Sequence, residues 1–157
     1  MNTLNLFSKV IFTDNLNLSD KDKNKLKQVV KKEKYKKVED KNSSCMSESL
    51  HVLDDNKLTK IKEKIIDTFI KFNKQILKYN NSFEMTTCWS TKSSKNNYSH
   101  FHNHTNNFYS GVYYIDVDEN TGEIEFCDFS NNTFELNPTE YNIHNSKSYY
   151  YILKFVY

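Results

Sequence analysis

Arginine and alanine are missing from this chain altogether, and only two glycines and one proline occur among its 157 residues. The depleted residues share GC-rich codons, so the wealth of Lys, Asn, Ile, Phe and Tyr points to an AT-rich genome before it points to a physical adaptation. Two isolated glycines, Gly111 and Gly122, make no glycine-rich phosphate loop. Cys45, Cys88 and Cys127 are odd in number and lack CxxC spacing, which argues against a disulfide framework or a zinc ribbon and for reduced thiols. No run of 18 apolar residues is present, and Met1 to Asp14 lacks the charged start and small-residue cleavage site of a secretory signal. The expectation is one cytoplasmic domain over residues 1–157 with no membrane span.

Charge of one sign is also scarce overall, since 22 lysines face 20 carboxylates for a formal net charge of +2. The exception is the lysine-rich stretch from Lys21 to Lys41. It is interrupted by Asp22, Glu33, Glu39 and Asp40 and carries no aromatic beyond Tyr35, so it reads as a solvated helix face and a nucleic-acid partner is not expected.

Along the chain, Val10-Ile11-Phe12-Thr13 reads as the end of a strand that begins near Leu4. Ser19, followed by Asp20 and Asp22, is a helix start for a peripheral helix running to about Lys37, and Lys41 to Glu48 reads as a loop. Between Asp55 and Tyr79 the apolar residues Leu58, Ile61, Ile65, Phe69, Phe72 and Ile76 recur at steps of three or four, which predicts a helix with one stripe to bury. The period then changes to two over Phe83, Met85, Thr87 and Trp89, predicting a strand with one buried face. Phe108 to Val117 and Glu123 to Phe129, around a turn bearing Gly122, predict a β-hairpin, and Tyr149 to Tyr157 is a last β-prone run. Helices followed by antiparallel strands give an α+β class, with residues 1–82 as the strand-and-helix part packed on the sheet of residues 83–157.

Three of the five histidines fall within five residues, in Ser99-His100-Phe101-His102-Asn103-His104-Thr105. Alternate side chains of an extended segment share a face, so His102 and His104 can converge on one ion. A third ligand would come from elsewhere, and His100, His144, Asp116 and Asp128 are the candidates. A solvated Asn- and His-rich loop is the alternative for these residues.

The stretch Trp89-Ser90, then His102-Asn103-His104-Thr105-Asn106-Asn107, then Ser110-Gly111-Val112-Tyr113-Tyr114, followed by Ile124-Glu125-Phe126, resembles the 2-oxoglutarate/Fe(II) oxygenases of marine bacteria and cyanophages, whose pattern is HxHPNSxxSGVYY. The resemblance implies a double-stranded β-helix, or jelly roll, with Fe(II) held by His102 and His104. It also implies 2-oxoglutarate as a small-molecule cosubstrate, contacted by Tyr114, Asn107 and Ser110, and hydroxylation of a substrate that the sequence does not identify. For a phage-borne gene the compartment would be the host cytoplasm.

Thr105 stands where that pattern has proline. The pattern also continues beyond the strand resembling Tyr150 to Phe155 into a segment with a distal histidine and an arginine that clamps 2-oxoglutarate, neither of which this chain carries. On that resemblance the jelly roll is expected to be incomplete and C-terminally truncated, with an exposed sheet edge open to homodimer pairing. His144 is the candidate substitute for the distal histidine. Two other readings compete with an oxygenase: a degenerate, non-catalytic fragment, and a cupin-like jelly roll that uses the histidines without 2-oxoglutarate.

Overall fold

Ser19 starts the first helix as its sequence position requires. Its hydroxyl accepts from the Asp22 amide at 3.2 Å and donates to the Asp22 carboxylate at 2.7 Å, a reciprocal cap over helix α1, Asp20–Lys32. The Ser19 hydroxyl, helped by Lys25 at 3.4 Å, holds the Asp22 carboxyl below the usual carboxylate range against the opposing desolvation. Asp20 and Asp22 in the first turn and Lys31 and Lys32 in the last also complement the helix dipole. Ser19→Ala is expected to cost about 1 kcal/mol, read as a lower urea midpoint with an unchanged slope.

The computed structural model describes residues 10–117, 124–127 and 148–151. They form a mixed helix and sheet structure in two compact units, Met1–Ser99 and His100–Tyr157.

In the first unit α1 ends five residues before the sequence suggests. Glu33 turns extended, and the Tyr35 hydroxyl caps the helix by donating to the Val30 carbonyl at 3.1 Å. That donation uses the one phenolic proton, so Ser90, 2.8 Å away, donates its hydroxyl to Tyr35. The chain then forms β1, Tyr35–Lys37, which pairs antiparallel with β2, Cys45–Ser47, in the register Tyr35 to Ser47 and Lys37 to Cys45. β2 pairs in turn with β3, Thr91–Lys92, giving the order β1-β2-β3.

Side chains supplement this short ladder. Ser47 is fully buried; its hydroxyl accepts from the Ser90 amide at 3.0 Å and donates to the Ser49 carbonyl at 2.8 Å. The turn from Asp40 to Ser43 is closed by the Asp40 carboxylate, which accepts from the amides of Asn42 and Ser43 and from the Tyr98 hydroxyl at 2.8 Å. That carboxylate raises the Tyr98 phenol above its ordinary value. The Tyr98 carbonyl accepts from the Ser44 amide and hydroxyl, and Ser99 donates to the Ser44 hydroxyl at 3.1 Å, so the chain is pinned up to the end of this unit.

Two 3-10 turns, Val52–Asp54 and Asn56–Leu58, lead into helix α2, Thr59–Phe72, which continues through a π-helical turn, Asn73–Leu77. Leu58, Ile61 and Phe72 are the buried part of the apolar stripe, joined in the core by Leu16, Leu18, Leu26, Val29, Val52 and Leu53. Ile76 is 55% exposed because the π turn moves it off the buried face. Asn73 closes this helix end by donating to the Tyr79 carbonyl and accepting from the Tyr79 amide, with Lys78 in the left-handed region at φ 59.

Several expectations are corrected. Of the expected first strand, residues 4–9 lie outside the described residues, while residues 10–13 are exposed and without regular structure, and Phe12 stacks on Phe72 with ring centroids 4.5 Å apart. The polar segment from Lys41 to Glu48 contains β2, whose residues carry no apolar alternation for a sequence reading to detect. Residues 83–89 make no strand, only a parallel bridge between Cys88 and His51, although Phe83 joins Phe69 and Tyr79 in an aromatic cluster.

In the second unit β4, Ile124–Cys127, pairs antiparallel with β5, Ser148–Tyr151, and not with residues 108–117, which have no regular structure. In this register Tyr149 lies opposite Phe126 and Tyr150 opposite Glu125. The expected turn near Gly122 and the run after Tyr151 lie outside the described residues. The described residues thus form a three-stranded and a two-stranded antiparallel sheet and no closed β-helix. Among them no helix is long and apolar enough to cross a membrane.

Candidate metal centre

His102 and His104 come together as their spacing suggests, but not on a strand. Residues 100–104 lack regular structure, and a turn at Thr105 and Asn106 follows, with Asn106 in the left-handed region at φ 64 that Asn tolerates. The two imidazoles lie with ring centroids 4.9 Å apart and planes at 81°. Two imidazoles binding one metal at about 2.1 Å, at tetrahedral or octahedral angles, would have centroids about 4.6–5.3 Å apart. Edge-to-face packing of two rings spans a wider range, about 4.5–7 Å, so the separation permits a metal without specifying one.

Direction comes from a hydrogen bond. The Nδ1 of His102 lies 2.7 Å from the His100 carbonyl oxygen. A carbonyl only accepts, so Nδ1 carries the proton, and in the neutral ring the Nε2 lone pair is left to a ligand. Metal-binding histidines are oriented in this way by an acceptor on the far nitrogen. The role of His100 is therefore visible in its main chain, where no side-chain pattern could have revealed it; its side chain is exposed.

Other candidates are placed as follows. Tyr114 is half-buried, and burial pushes its phenol up. Asn107, Ser110 and Asp116 are exposed. Asp128 and His144 lie outside the described residues. Among the described residues no group of three His, Cys, Asp or Glu side chains is placed to hold one ion, so the third ligand is not supplied there. His51 sits in the first unit, 3.6 Å from Asp54, whose carboxyl is held low chiefly by Lys62 at 2.6 Å. Nearby, burial pushes the Cys88 thiol up, away from the thiolate that nucleophilic chemistry needs.

The donor set fits Fe(II) as far as two imidazoles go. For a dicarboxylate the described residues of the second unit offer hydroxyl and amide donors, Tyr114, Ser110 and Asn107, and no lysine.

The paired imidazoles and the oriented His102 are compatible with a divalent transition metal and do not by themselves specify one. The model of a family described as "Putative 2OG-Fe(II) oxygenase" matches residues 87–154, less than half of the chain but including both histidines. Neither the curated proteins nor the solved structures gave a match.

Proposed function

We propose that this chain is a 2-oxoglutarate- and Fe(II)-dependent dioxygenase of the hydroxylase type. The observation that carries the reading is the His102–His104 pair, with Nδ1 of His102 tied to the His100 carbonyl, inside the segment matched by that family model. In this reading His102 binds through Nε2, His104 is the second ligand, and a carboxylate such as Asp116 or Asp128, or His144, completes the set. When bound, Fe(II) with 2-oxoglutarate supplies the oxidising chemistry by which O2 hydroxylates a substrate.

The protein's part is to hold and orient. The His100 carbonyl fixes the His102 ring and raises its basicity as a ligand. Tyr114, half-buried, carries a phenolic hydroxyl that suits a cosubstrate carboxylate, as do Ser110 and Asn107. With no arginine in the chain, hydroxyls, amides or a lysine point charge must replace a bidentate guanidinium. That replacement lowers the expected cosubstrate affinity. It also favours a second reading, a cupin-like metal protein that does not take 2-oxoglutarate.

Anaerobic titration of the full chain with Fe(II), then with 2-oxoglutarate, separates them. The oxygenase reading expects stoichiometric Fe(II) binding by calorimetry and a visible metal-to-ligand charge-transfer band on adding 2-oxoglutarate. Fe(II) binding without the band supports the second reading, and absence of both overturns each.

A further inference from the structure

The two units carry opposite charge. Met1–Ser99 contains 20 of the 22 lysines and 12 of the 20 carboxylates, a formal +8, whereas His100–Tyr157 contains two lysines and eight carboxylates, a formal −6. A genome-wide codon bias would scatter lysine along the chain, yet from Asn96 to Ser146 there is none. The segregation therefore needs a cause other than base composition.

Within the first unit the excess is concentrated on α1 and β1, where nine lysines lie between Lys21 and Lys37. Eight of them are exposed, Lys25 being half-buried. Lys25 pairs with Asp22, and Lys37 donates to the Ser43 carbonyl at 2.5 Å. Lys21, Lys23, Lys31, Lys32, Lys34 and Lys36 make no ion pair with any described residue. These six lysines make a basic surface that an external anion would neutralise.

We propose that this α1–β1 surface binds the phosphodiester backbone of nucleic acid, without reading its sequence. Three features favour that partner. The apolar positions of α1, Leu26 and Val29, are buried in the fold, and the helix exposes no large apolar side chain, so it lacks the face that a bilayer-bound helix inserts. Lys21, Lys27 and Lys31 lie in the arc opposite Leu26 and Val29, with Asn24 and Gln28 among them as neutral donors for phosphate and sugar oxygens. Its 13 residues extend about 20 Å, which covers about six phosphates of one duplex strand. Lys34 and Lys36, both exposed, follow it in the chain. Lysine without arginine supplies point charges and no bidentate grip on a guanine edge, hence affinity without base readout.

The test is fluorescence anisotropy of the full, metal-free chain with a labelled single strand and duplex of about 20 nucleotides, across a salt series. It is independent of whether the histidines take iron. Micromolar binding at low salt is expected, with log Kd linear in log salt. Lys31→Gln, Lys32→Gln, Lys34→Gln and Lys36→Gln together should weaken it by at least about tenfold and flatten the slope. The same change at Lys57, Lys60, Lys71 and Lys74, also in the first unit, should have a much smaller effect, with thermal unfolding confirming that both variants fold. No binding at low salt, equal losses in the two variants, or equally tight binding to phosphatidylserine vesicles overturns the proposal.

Discussion

His102→Ala is expected to abolish specific Fe(II) binding, while His51→Ala leaves it unchanged. Removing only the hydrogen-bond partner of a metal-bound histidine commonly costs 10–100-fold in affinity, so removing one of two paired imidazoles should cost more than about 100-fold. His51 is the matched control. It belongs to the first unit, where its ring lies 3.6 Å from Asp54, itself paired with Lys62, and no histidine among the described residues stands to it as His104 stands to His102. His104 gives a finer test. His104→Leu should lose the metal, whereas His104→Asp supplies an oxygen ligand suited to Fe(II) and should retain much of the affinity. Calorimetric titration with Fe(II) under nitrogen reads all three positions. Equal losses at His102 and His51 would mean that binding is adventitious, and loss at His104→Asp as severe as at His104→Leu would mean that the imidazole there acts by packing and not as a ligand.

What was legible in the sequence was legible because its cause is local. The Ser19 cap and the first turn of α1 follow from side chains within three residues of one another, and the α2 stripe follows from a period that a helix alone satisfies. The three-stranded sheet was not legible. Its strands are two or three residues long, and contacts between residues more than forty positions apart, Ser47 with Ser90 and Asp40 with Tyr98, help hold it. Nothing in Lys41 to Glu48 announces such partners. At the candidate site the pairing of His102 with His104 was visible in their spacing, but the reason differs from the one the spacing suggests. The rings meet in a segment without regular structure, and the main-chain carbonyl of His100 sets the direction of one of them. No third ligating side chain joins them among the described residues.

Leu58→Ala should be the most destabilising single change in the helical unit. Leu58 is 0% exposed and sits where the second 3-10 turn meets α2, beside Ile61 at 1%. Truncation there removes transfer free energy and leaves a cavity that two flanking helical segments cannot easily close, an expected cost of about 2–5 kcal/mol. Since a small domain has only about 5–15 kcal/mol of stability, a large fraction of it is at stake. Ile76→Ala is the informative comparison, because both residues belong to one apolar stripe in the sequence and only the structure separates them. At 55% exposure Ile76 should lose about 0.5 kcal/mol or less. Both helices among the described residues lie in the first unit, so urea unfolding followed by helical circular dichroism reports on that unit. Equal midpoints for the two variants would mean that the stripe is buried along its whole length, and that the π turn after Phe72 does not carry Ile76 to the surface.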